Sequence, residues 1–271
     1  MSLTWLDLFK AFALGMVEGL TTFVPVSASG HLLLAQRFLG FADGDFGGAF
    51  ALMIRLGALL GLLCVYFVRL GHLLMETWRD PAARRFVVGV LLAFLPAAIL
   101  GVLARDLIKN ELLNIWIGCF ALIVGGAVLL WIDRRDLAPV YQEATGFSLP
   151  MYFGIGLAQC LAVVPGVSRS GAVIVAAMLL GADRRAAAEF SFWLAMPTMT
   201  GALAYDLYLG HGPPGPDNAI LIAIGFAVSF VAAWLVVRTF LDYVSSHGFA
   251  LFAWWRVFVG TLGLIALALG H

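Results

Sequence analysis

The chain has 271 residues, of which 62% are hydrophobic and 12% are charged. A soluble domain of this size carries about a quarter charged residues and just under half apolar ones, so the composition excludes a cytosolic globular enzyme and a disordered chain. Lysine plus arginine equals aspartate plus glutamate, at 16 each, so no basic field attracts nucleic acid. We predict an all-α integral membrane protein.

The spanning helices are predicted from apolar stretches long enough to cross a bilayer, which takes about 20 residues. Six segments qualify, at 47–68, 86–104, 112–132, 187–208, 219–238 and 249–270. Three of them contain one interior charge each, at Arg55, Glu189 and Arg256. Arg55 lies mid-span, so we expect it to face a carboxylate, a phosphate or a wet cavity. Arg256 is interpreted as a charge that snorkels to the cytoplasmic interface.

Two further apolar regions are interrupted by short polar breaks. The region 5–39 is broken by PVSASG at 25–30, and the region 149–180 is broken by PGVSRSG at 165–171. Each half is too short for a comfortable span, and a polar break at membrane depth is tolerated only where protein or a wet cavity surrounds it. We therefore predict two re-entrant helix–loop–helix hairpins. The alternative, two ordinary spans joined by a short loop, would require Arg169 and the serines at the membrane surface.

The two breaks are related to each other in sequence. A shift of 141 residues gives six identities in sixteen positions, pairing Gly15 with Gly156, Leu20 with Leu161, Val26 with Val167, Ser27 with Ser168, Ser29 with Ser170 and Gly30 with Gly171. Three spans follow each hairpin, so the second hairpin enters from the opposite side. This inverted-topology repeat is typical of binding sites near the bilayer midplane. We assign one membrane domain, with repeat one at about 1–132, a linker at 133–148 and repeat two at about 149–271.

Basic residues divide unequally between the two sides of this topology. One side holds Arg69, Arg79, Arg84, Arg85, Arg134, Arg135, Arg184, Arg185 and Arg238. The other side holds Lys10, Arg37, Arg105 and Lys109. The positive-inside rule places the larger set in the cytoplasm. Both termini, the loop 209–218 and the mouth of the first hairpin are then predicted to lie outside.

Each break places a Ser-x-Ser-Gly sequence just before a helix. The residues are Ser27, Ser29 and Gly30 in the first break, and Ser168, Ser170 and Gly171 in the second. Helix N-termini offer free N–H groups and a positive dipole end to phosphate, hydroxyls add donors, and glycine allows a ligand to approach closely. Arg169 adds a planar fork that can bind phosphate oxygens in a bidentate manner. Two such breaks facing each other would form one anion cradle at mid-membrane.

Three ionisable residues near the breaks and spans are candidates for chemistry. Glu18 is a candidate to hold a divalent cation on diphosphate oxygens or to act as general base for water, and a structural hydrogen bond is the alternative. His31 is a candidate general acid/base or phosphate contact, unless backbone groups satisfy it. Glu189 either pairs with an arginine at the interface or reaches the cavity, where it would be a weak second metal ligand.

These motifs resemble the signatures of the undecaprenyl-diphosphate phosphatase (bacitracin resistance protein) family. The segment 18–31, EGLTTFVPVSASGH, looks like the first family signature, and PGVSRSG at 165–171 is similar to the second. Glu189-Phe190-Ser191-Phe192 and Pro197 also fit the family pattern, and the resemblance covers essentially the whole chain. It implies a bundle of spanning helices with two inverted re-entrant hairpins, located in the bacterial cytoplasmic membrane.

The resemblance also implies an activity. The family removes the terminal phosphate of undecaprenyl diphosphate at the outer face of the membrane, with magnesium or calcium, and so recycles the lipid carrier of peptidoglycan synthesis. Carried over to this sequence, the catalytic set is Glu18, His31, Ser27 and Arg169. The phosphate-binding set is Ser29, Gly30, Ser168, Ser170 and Gly171, and Arg55 is added to it because of its mid-span charge. Whether Ser27 or a water molecule attacks phosphorus is left open.

Five positions depart from the family pattern. Thr22 and Ala51 stand where the family usually has glutamates, Ala28 replaces a serine, Val173 replaces a threonine, and Arg55 replaces a glutamine. Losing two acids should weaken divalent-cation binding, because hard cations need several oxygen ligands. An arginine at position 55 would partly replace the cation as a counter-charge to diphosphate.

Other functions are weighed against the phosphatase. A non-hydrolytic, flippase-like transporter or binding protein for polyprenyl phosphate would use the inverted repeat for alternating access, and the missing acids favour it. Intact Glu18, His31 and Arg169 favour the enzyme. A purely structural membrane subunit would explain neither the duplicated cradle nor the intramembrane charges. The expected partners are a polyprenyl-diphosphate lipid and the bilayer, without nucleic acid, and a homodimer is left open.

Overall fold

The computed structural model of the chain describes residues 4–41, 44–103, 114–135, 137–209 and 218–270. These residues form ten α-helices and two short 3₁₀ turns, at Ala144–Gly146 and Cys160–Val163. The helices are α1 (Trp5–Thr21), α2 (Ala28–Leu39), α3 (Gly44–Glu76), α4 (Pro81–Leu103), α5 (Ile115–Asp133), α6 (Leu149–Gln159), α7 (Arg169–Leu179), α8 (Arg184–Tyr208), α9 (Ala219–His247) and α10 (Ala250–Ala268). The predicted outside residues Arg105 and Lys109, and most of the loop 209–218, lie outside the described residues.

Five helices, α3, α4, α5, α9 and α10, are long and apolar enough to cross a membrane. Large apolar side chains are exposed along them, for example Leu91, Leu95 and Ile99 on α4, as expected for surfaces that face lipid. The chain is therefore an all-helical, multi-pass membrane protein. The segment predicted at 187–208 forms α8, which has 25 residues but is not one of these five helices. Its Phe190 and Phe192 are fully buried, so this more polar helix packs inside the protein.

Both polar breaks lie between short helices, at the predicted positions. Between α1 and α2, the hydroxyl of Ser27 accepts the N–H of Gly30 at 3.4 Å. After α6, the chain continues through a 3₁₀ turn to the second break, where Ser168 accepts the N–H of Gly171 at 3.1 Å. Serine is a preferred helix N-cap because it satisfies a free backbone donor. The common Ser-x-Ser-Gly sequence therefore has a common local structure.

Helices of the first half of the chain pack against helices of the second half. The first helix of each interrupted pair packs against a long helix of the other half, α1 against α9 and α6 against α4. Glycines permit both close crossings, because a Cβ atom at Gly15 or Gly156 would collide with the backbone of Gly225 or Ala93. Helices α5 and α10 pack against each other. The second break also packs against α5, where a Cβ atom at Gly166 would overlap the carbonyl oxygen of Gly118.

Candidate functional site

A cavity of about 300 Å³ lies where the two breaks meet. Its wall includes six residues that the sequence predicted for the site, namely Glu18, Ser27, Ser29, Arg55, Ser168 and Arg169. Residues 141 positions apart in the chain therefore line one space. Helices α3, α4 and α8 form the other sides of the cavity. They add apolar side chains such as Ala97 and Leu203 to the charged and hydroxyl groups of the wall.

Glu18 places a carboxylate in this cavity wall from the last turn of α1. It is only 3% exposed, and its Oε1 accepts a hydrogen bond of 2.9 Å from the Thr22 hydroxyl. The same hydroxyl lies 2.7 Å from the Glu18 carbonyl oxygen, so Thr22 is held against the helix. Thr22, where the resemblance predicts a second glutamate, thus binds the carboxylate of Glu18.

Ser27 has an unusual backbone conformation. Its φ is +75°, and it is the only non-glycine residue in the described ranges with a positive φ. Such a conformation costs free energy for a residue with a Cβ atom and is found most often at functional sites. The Ser27 hydroxyl lies 3.4 Å from the hydroxyl of Ser29, which also lines the cavity. The first break therefore presents two hydroxyl groups to the same space.

Two arginines give the cavity its positive charge. Arg169 begins α7, directly after the Ser168 cap, and it lies within electrostatic range of both Glu18 and Arg55. Arg55 enters the wall from α3, so the mid-span charge faces the cavity. Two guanidinium groups beside helix N-termini suit an anion with several oxygens, such as a diphosphate.

Four polar residues in the wall were not predicted as site residues from the sequence, namely Thr22, Gln159, Thr198 and Asp206. Gln159 is 2% exposed and its Oε1 accepts from the Thr198 hydroxyl at 3.4 Å. Asp206, near the end of α8, is a second acid in the wall. Gln159 follows Glu18 by 141 residues, so the repeat alignment contained the signal for it. Asp206 had no such signal, because it lies near the end of the predicted span 187–208 and has no counterpart in either break motif.

The metal-binding capacity of the cavity is limited. The described part of the chain contains no group of three or more His, Cys, Asp or Glu residues that could hold a metal ion. The cavity offers the carboxylates of Glu18 and Asp206, with arginines nearby. Magnesium commonly binds one or two carboxylates together with substrate phosphates. The residues therefore fit a cation that is shared with a diphosphate, but not a cage made by protein alone.

His31 lies outside the cavity wall and is held by protein groups on both ring nitrogens. Its Nε2 accepts from the indole N–H of Trp255 at 2.8 Å, so Nδ1 carries the proton and donates to the Ser27 carbonyl oxygen at 2.9 Å. The arrangement matches the alternative of a backbone-satisfied histidine. It also fixes the backbone of Ser27, the residue with the positive φ.

Ser170, Gly30 and Gly171 contact protein rather than the cavity. The Ser170 hydroxyl donates to the Val24 carbonyl oxygen at 2.8 Å and so links the second break to the first. A Cβ atom at Gly30 would lie 3.1 Å from the Cα of Gly166, and one at Gly171 would lie 3.1 Å from an Arg256 nitrogen. Gly30 therefore allows the two breaks to approach each other and Gly171 leaves room for Arg256, whereas we predicted that both glycines admit a ligand.

Two charged residues of the predicted spans lie apart from the cavity. Glu189 pairs with Arg69 at 2.7 Å, which agrees with the interfacial option, and it is absent from the cavity wall. The interpretation of Arg256 as a snorkelling charge was wrong. It is 2% exposed, and its guanidinium donates to backbone carbonyl groups inside the protein. Free carbonyl groups at the breaks supply the partners that a buried charge requires.

Comparison with known proteins identifies the family. Residues 11–262 match the family model for bacitracin resistance protein BacA. An undecaprenyl-diphosphatase of Rhodopseudomonas palustris strain BisB18 is 61% identical over 264 residues, covering 97% of this chain and 98% of its own. Undecaprenyl-diphosphatases of Afipia carboxidovorans and Nitrobacter winogradskyi are 60% and 58% identical, over at least 97% of this chain and 98% of theirs. The chain therefore belongs to the bacitracin resistance protein BacA family.

Proposed function

We propose that this chain is an undecaprenyl-diphosphate phosphatase that releases the terminal phosphate and leaves undecaprenyl phosphate. The observation that carries the proposal is the single cavity in which the breaks bring Ser27, Ser29, Ser168 and Arg169 to buried Glu18. The names of relatives up to 61% identical over nearly the full chain support the same activity. The reaction would recycle the lipid carrier of cell-wall synthesis.

In the reaction we propose, water attacks the terminal phosphorus. The new bond forms between the water oxygen and phosphorus, the bridging P–O bond breaks, and the lipid monophosphate leaves. Glu18 accepts the proton of water, and the Arg169 guanidinium with the break hydroxyls stabilises the charge on the phosphoryl oxygens. The Ser27 hydroxyl forms hydrogen bonds with Ser29 and Gly30 but with no base among the described residues, and the ring nitrogens of His31 bind the Ser27 backbone and Trp255 instead. This favours water over Ser27 as the nucleophile.

The charge of the substrate would be compensated by Arg55 and Arg169 together with a divalent cation. Glu18 and Asp206 are the wall residues that would hold a magnesium or calcium ion, which would supply further positive charge when bound. Arg55 supplies a fixed positive charge in the same wall. The metal requirement of the wild-type protein should therefore be partial.

The variant Arg55→Gln tests this division of charge. We expect wild type to keep part of its phosphate release in EDTA, and Arg55→Gln to lose nearly all of it, because only the cation then compensates the diphosphate. Phosphate release against magnesium concentration gives the comparison, with Arg238→Gln as the control for loss of an exposed arginine. Equal metal dependence of wild type and Arg55→Gln would refute this role.

The polyprenyl tail would lie in an apolar groove beside the phosphate cavity. The groove has a volume of about 620 Å³ and is formed by α5 together with α6 and α7. It shares Val167 and Ser168 with the cavity wall, so a lipid whose headgroup reaches the serines can extend directly into it. Lipid-facing side chains such as Phe120 and Val124 border the groove and are more than half exposed, which leaves it open towards the bilayer.

The variant Ala172→Phe should obstruct this groove. We expect KM for undecaprenyl diphosphate to rise about tenfold, which corresponds to losing the burial of roughly two methylene groups, while KM for farnesyl diphosphate changes little. Val231→Phe, on the exposed face of α9, is the matched control. The groove assignment fails if both substrates are affected equally or neither is affected.

We also propose the membrane topology that the sequence predicts, with α3, α4, α5, α8, α9 and α10 as spans and the two interrupted pairs as re-entrant hairpins of an inverted repeat. Basic residues of the predicted cytoplasmic side support it, since Arg184 and Arg185 at the start of α8 bind Asp133 and Asp242 at the ends of α5 and α9. Both termini would lie outside the bacterial cytoplasmic membrane. Labelling of a cysteine introduced at Ser246, which should be accessible only from the cytoplasm, tests the orientation.

Phosphate release from undecaprenyl diphosphate by the purified protein, with and without magnesium or calcium, tests the proposed function. Release that saturates with lipid concentration supports the phosphatase. Absence of release from folded protein that still binds undecaprenyl phosphate would instead support the transporter or binding protein, for which the facing breaks are also suited. In that case, combining Thr22→Glu, Ala28→Ser and Ala51→Glu tests whether the replaced side chains account for the loss.

A further inference from the structure

Arg256 makes an unusual set of contacts for a charged residue in a membrane protein. Its Nη1 donates to the Pro25 carbonyl oxygen at 3.2 Å, and its Nη2 donates to the carbonyl oxygens of Gly166 at 3.1 Å and Ala121 at 3.2 Å. These acceptors belong to the first break, the second break and α5. Within the described ranges, no carboxylate forms an ion pair with Arg256.

The two break carbonyl groups are equivalent positions of the repeat. The shift of 141 residues that pairs Ser27 with Ser168 also pairs Pro25 with Gly166. One guanidinium group therefore binds the same backbone position in both breaks, one through each terminal nitrogen. A planar fork with two terminal nitrogens can form this bridge, whereas the ammonium group of lysine is a compact point charge.

The surrounding backbone makes room for this guanidinium. A Cβ atom at Gly125 of α5 would overlap the Arg256 Nη2 atom, and one at Gly171 of α7 would lie 3.1 Å from Nη1. Two residues after each bridged carbonyl group stands a serine, Ser27 in the first break and Ser168 in the second. Both serines line the phosphate cavity. Arg256 thus joins the two breaks at the backbone positions two residues before the cavity serines.

We propose that Arg256 is a positioning residue for the phosphatase reaction, which holds the two breaks in register so that both act on one phosphate. This inference rests on the proposed function. It acts through the Pro25 and Gly166 carbonyl groups, not through the reacting phosphate, and its side chain is absent from the phosphate cavity wall, although it borders the apolar groove. Misplacing reacting groups by about 1 Å can cost about 10²-fold in rate, so loss of the bridge should appear in kcat more than in KM.

The test compares Arg256→Lys, which keeps the charge, with Gly125→Ala, which displaces the native guanidinium. Because Gly125 and Arg256 also border the apolar groove, the substrate is farnesyl diphosphate, whose KM should depend little on that groove. We expect both variants to lower kcat about 10- to 100-fold, with KM within about twofold of wild type. Tyr152→Phe is the matched control for lost stability, because it removes a buried hydrogen bond of 2.7 Å to the Ala144 carbonyl oxygen, away from the breaks. It should lower the unfolding temperature and leave kcat nearly unchanged.

Hydrogen exchange provides a readout that does not depend on activity. Peptides that cover 22–31 and 163–172 should both exchange about tenfold faster in Arg256→Lys and Gly125→Ala, because a hydrogen bond to a charged group is lost at each break. The Tyr152→Phe protein should exchange like wild type in these peptides. If wild type releases no phosphate, the proposed function fails, and the exchange data alone decide the bridge. Unchanged exchange in either break, or kcat within twofold of wild type in an active protein, would overturn the proposal.

Discussion

Replacing Glu18 with glutamine should lower kcat about 10²- to 10⁴-fold, the range that a general base commonly contributes. The glutamine keeps the shape of the side chain, and its carbonyl oxygen can still accept from the Thr22 hydroxyl, so the end of α1 should stay folded. It loses the negative charge that accepts a proton or holds a cation. Steady-state phosphate release from undecaprenyl diphosphate, measured with protein of unchanged unfolding temperature, gives the value.

Glu189→Gln is the matched control, since both residues are acids within the helical bundle. Glu189 pairs with Arg69 and is absent from the cavity wall. Its substitution should change kcat by no more than a few fold, with a modest loss of stability. An equal loss of kcat in both variants would mean that the helical bundle needs these acids for its structure. Wild-type kcat in Glu18→Gln would exclude Glu18 from the mechanism.

Arg169→Ala should lower kcat/KM about 10²- to 10³-fold, because removing one group that stabilises transition-state charge commonly costs this much. Arg169→Lys should recover part of the loss, since it restores the charge and lacks the fork for two phosphate oxygens. The measurement is the full dependence of phosphate release on lipid concentration. Arg238→Lys is the control for replacing an arginine by lysine away from the cavity. Arg238 lies over the Trp234 ring on the exposed side of α9 and is absent from the cavity wall, so kcat/KM should not change. Wild-type kcat/KM in Arg169→Ala would contradict the assigned role.

The helices and breaks were predictable from the sequence because their signals are local. Apolar stretches identified the long helices, and the duplicated Ser-x-Ser-Gly identified both capped helix starts. The 141-residue shift also indicated that the breaks share one role, and Ser27 and Ser168 do line one cavity. Glu18 and Arg169 were predicted from their charge within apolar regions beside the breaks, and both lie in the same wall.

Contacts between breaks were not predictable, because their acceptors are backbone atoms. Arg256 beside Trp255 has the sequence pattern of an interfacial anchor, and the carbonyl groups that it binds carry no residue identity. The role of Ser170 could not be predicted for the same reason, since its hydroxyl donates to the Val24 carbonyl oxygen rather than to a ligand. A polar side chain near a site can serve the site or hold the chain that forms it, and only tertiary structure distinguishes the two.

The central claim, that both breaks bind one phosphate, is tested most directly by an experimental structure with a non-hydrolysable methylene-bisphosphonate analogue of the lipid. We expect the terminal phosphonate within hydrogen-bonding distance of the Arg169 guanidinium and of at least one hydroxyl of Ser27 or Ser29. The tail should extend past Ser168 into the apolar groove. Binding instead at the basic pocket formed by Arg135, Arg184 and Arg185, or at one break alone, would contradict the account.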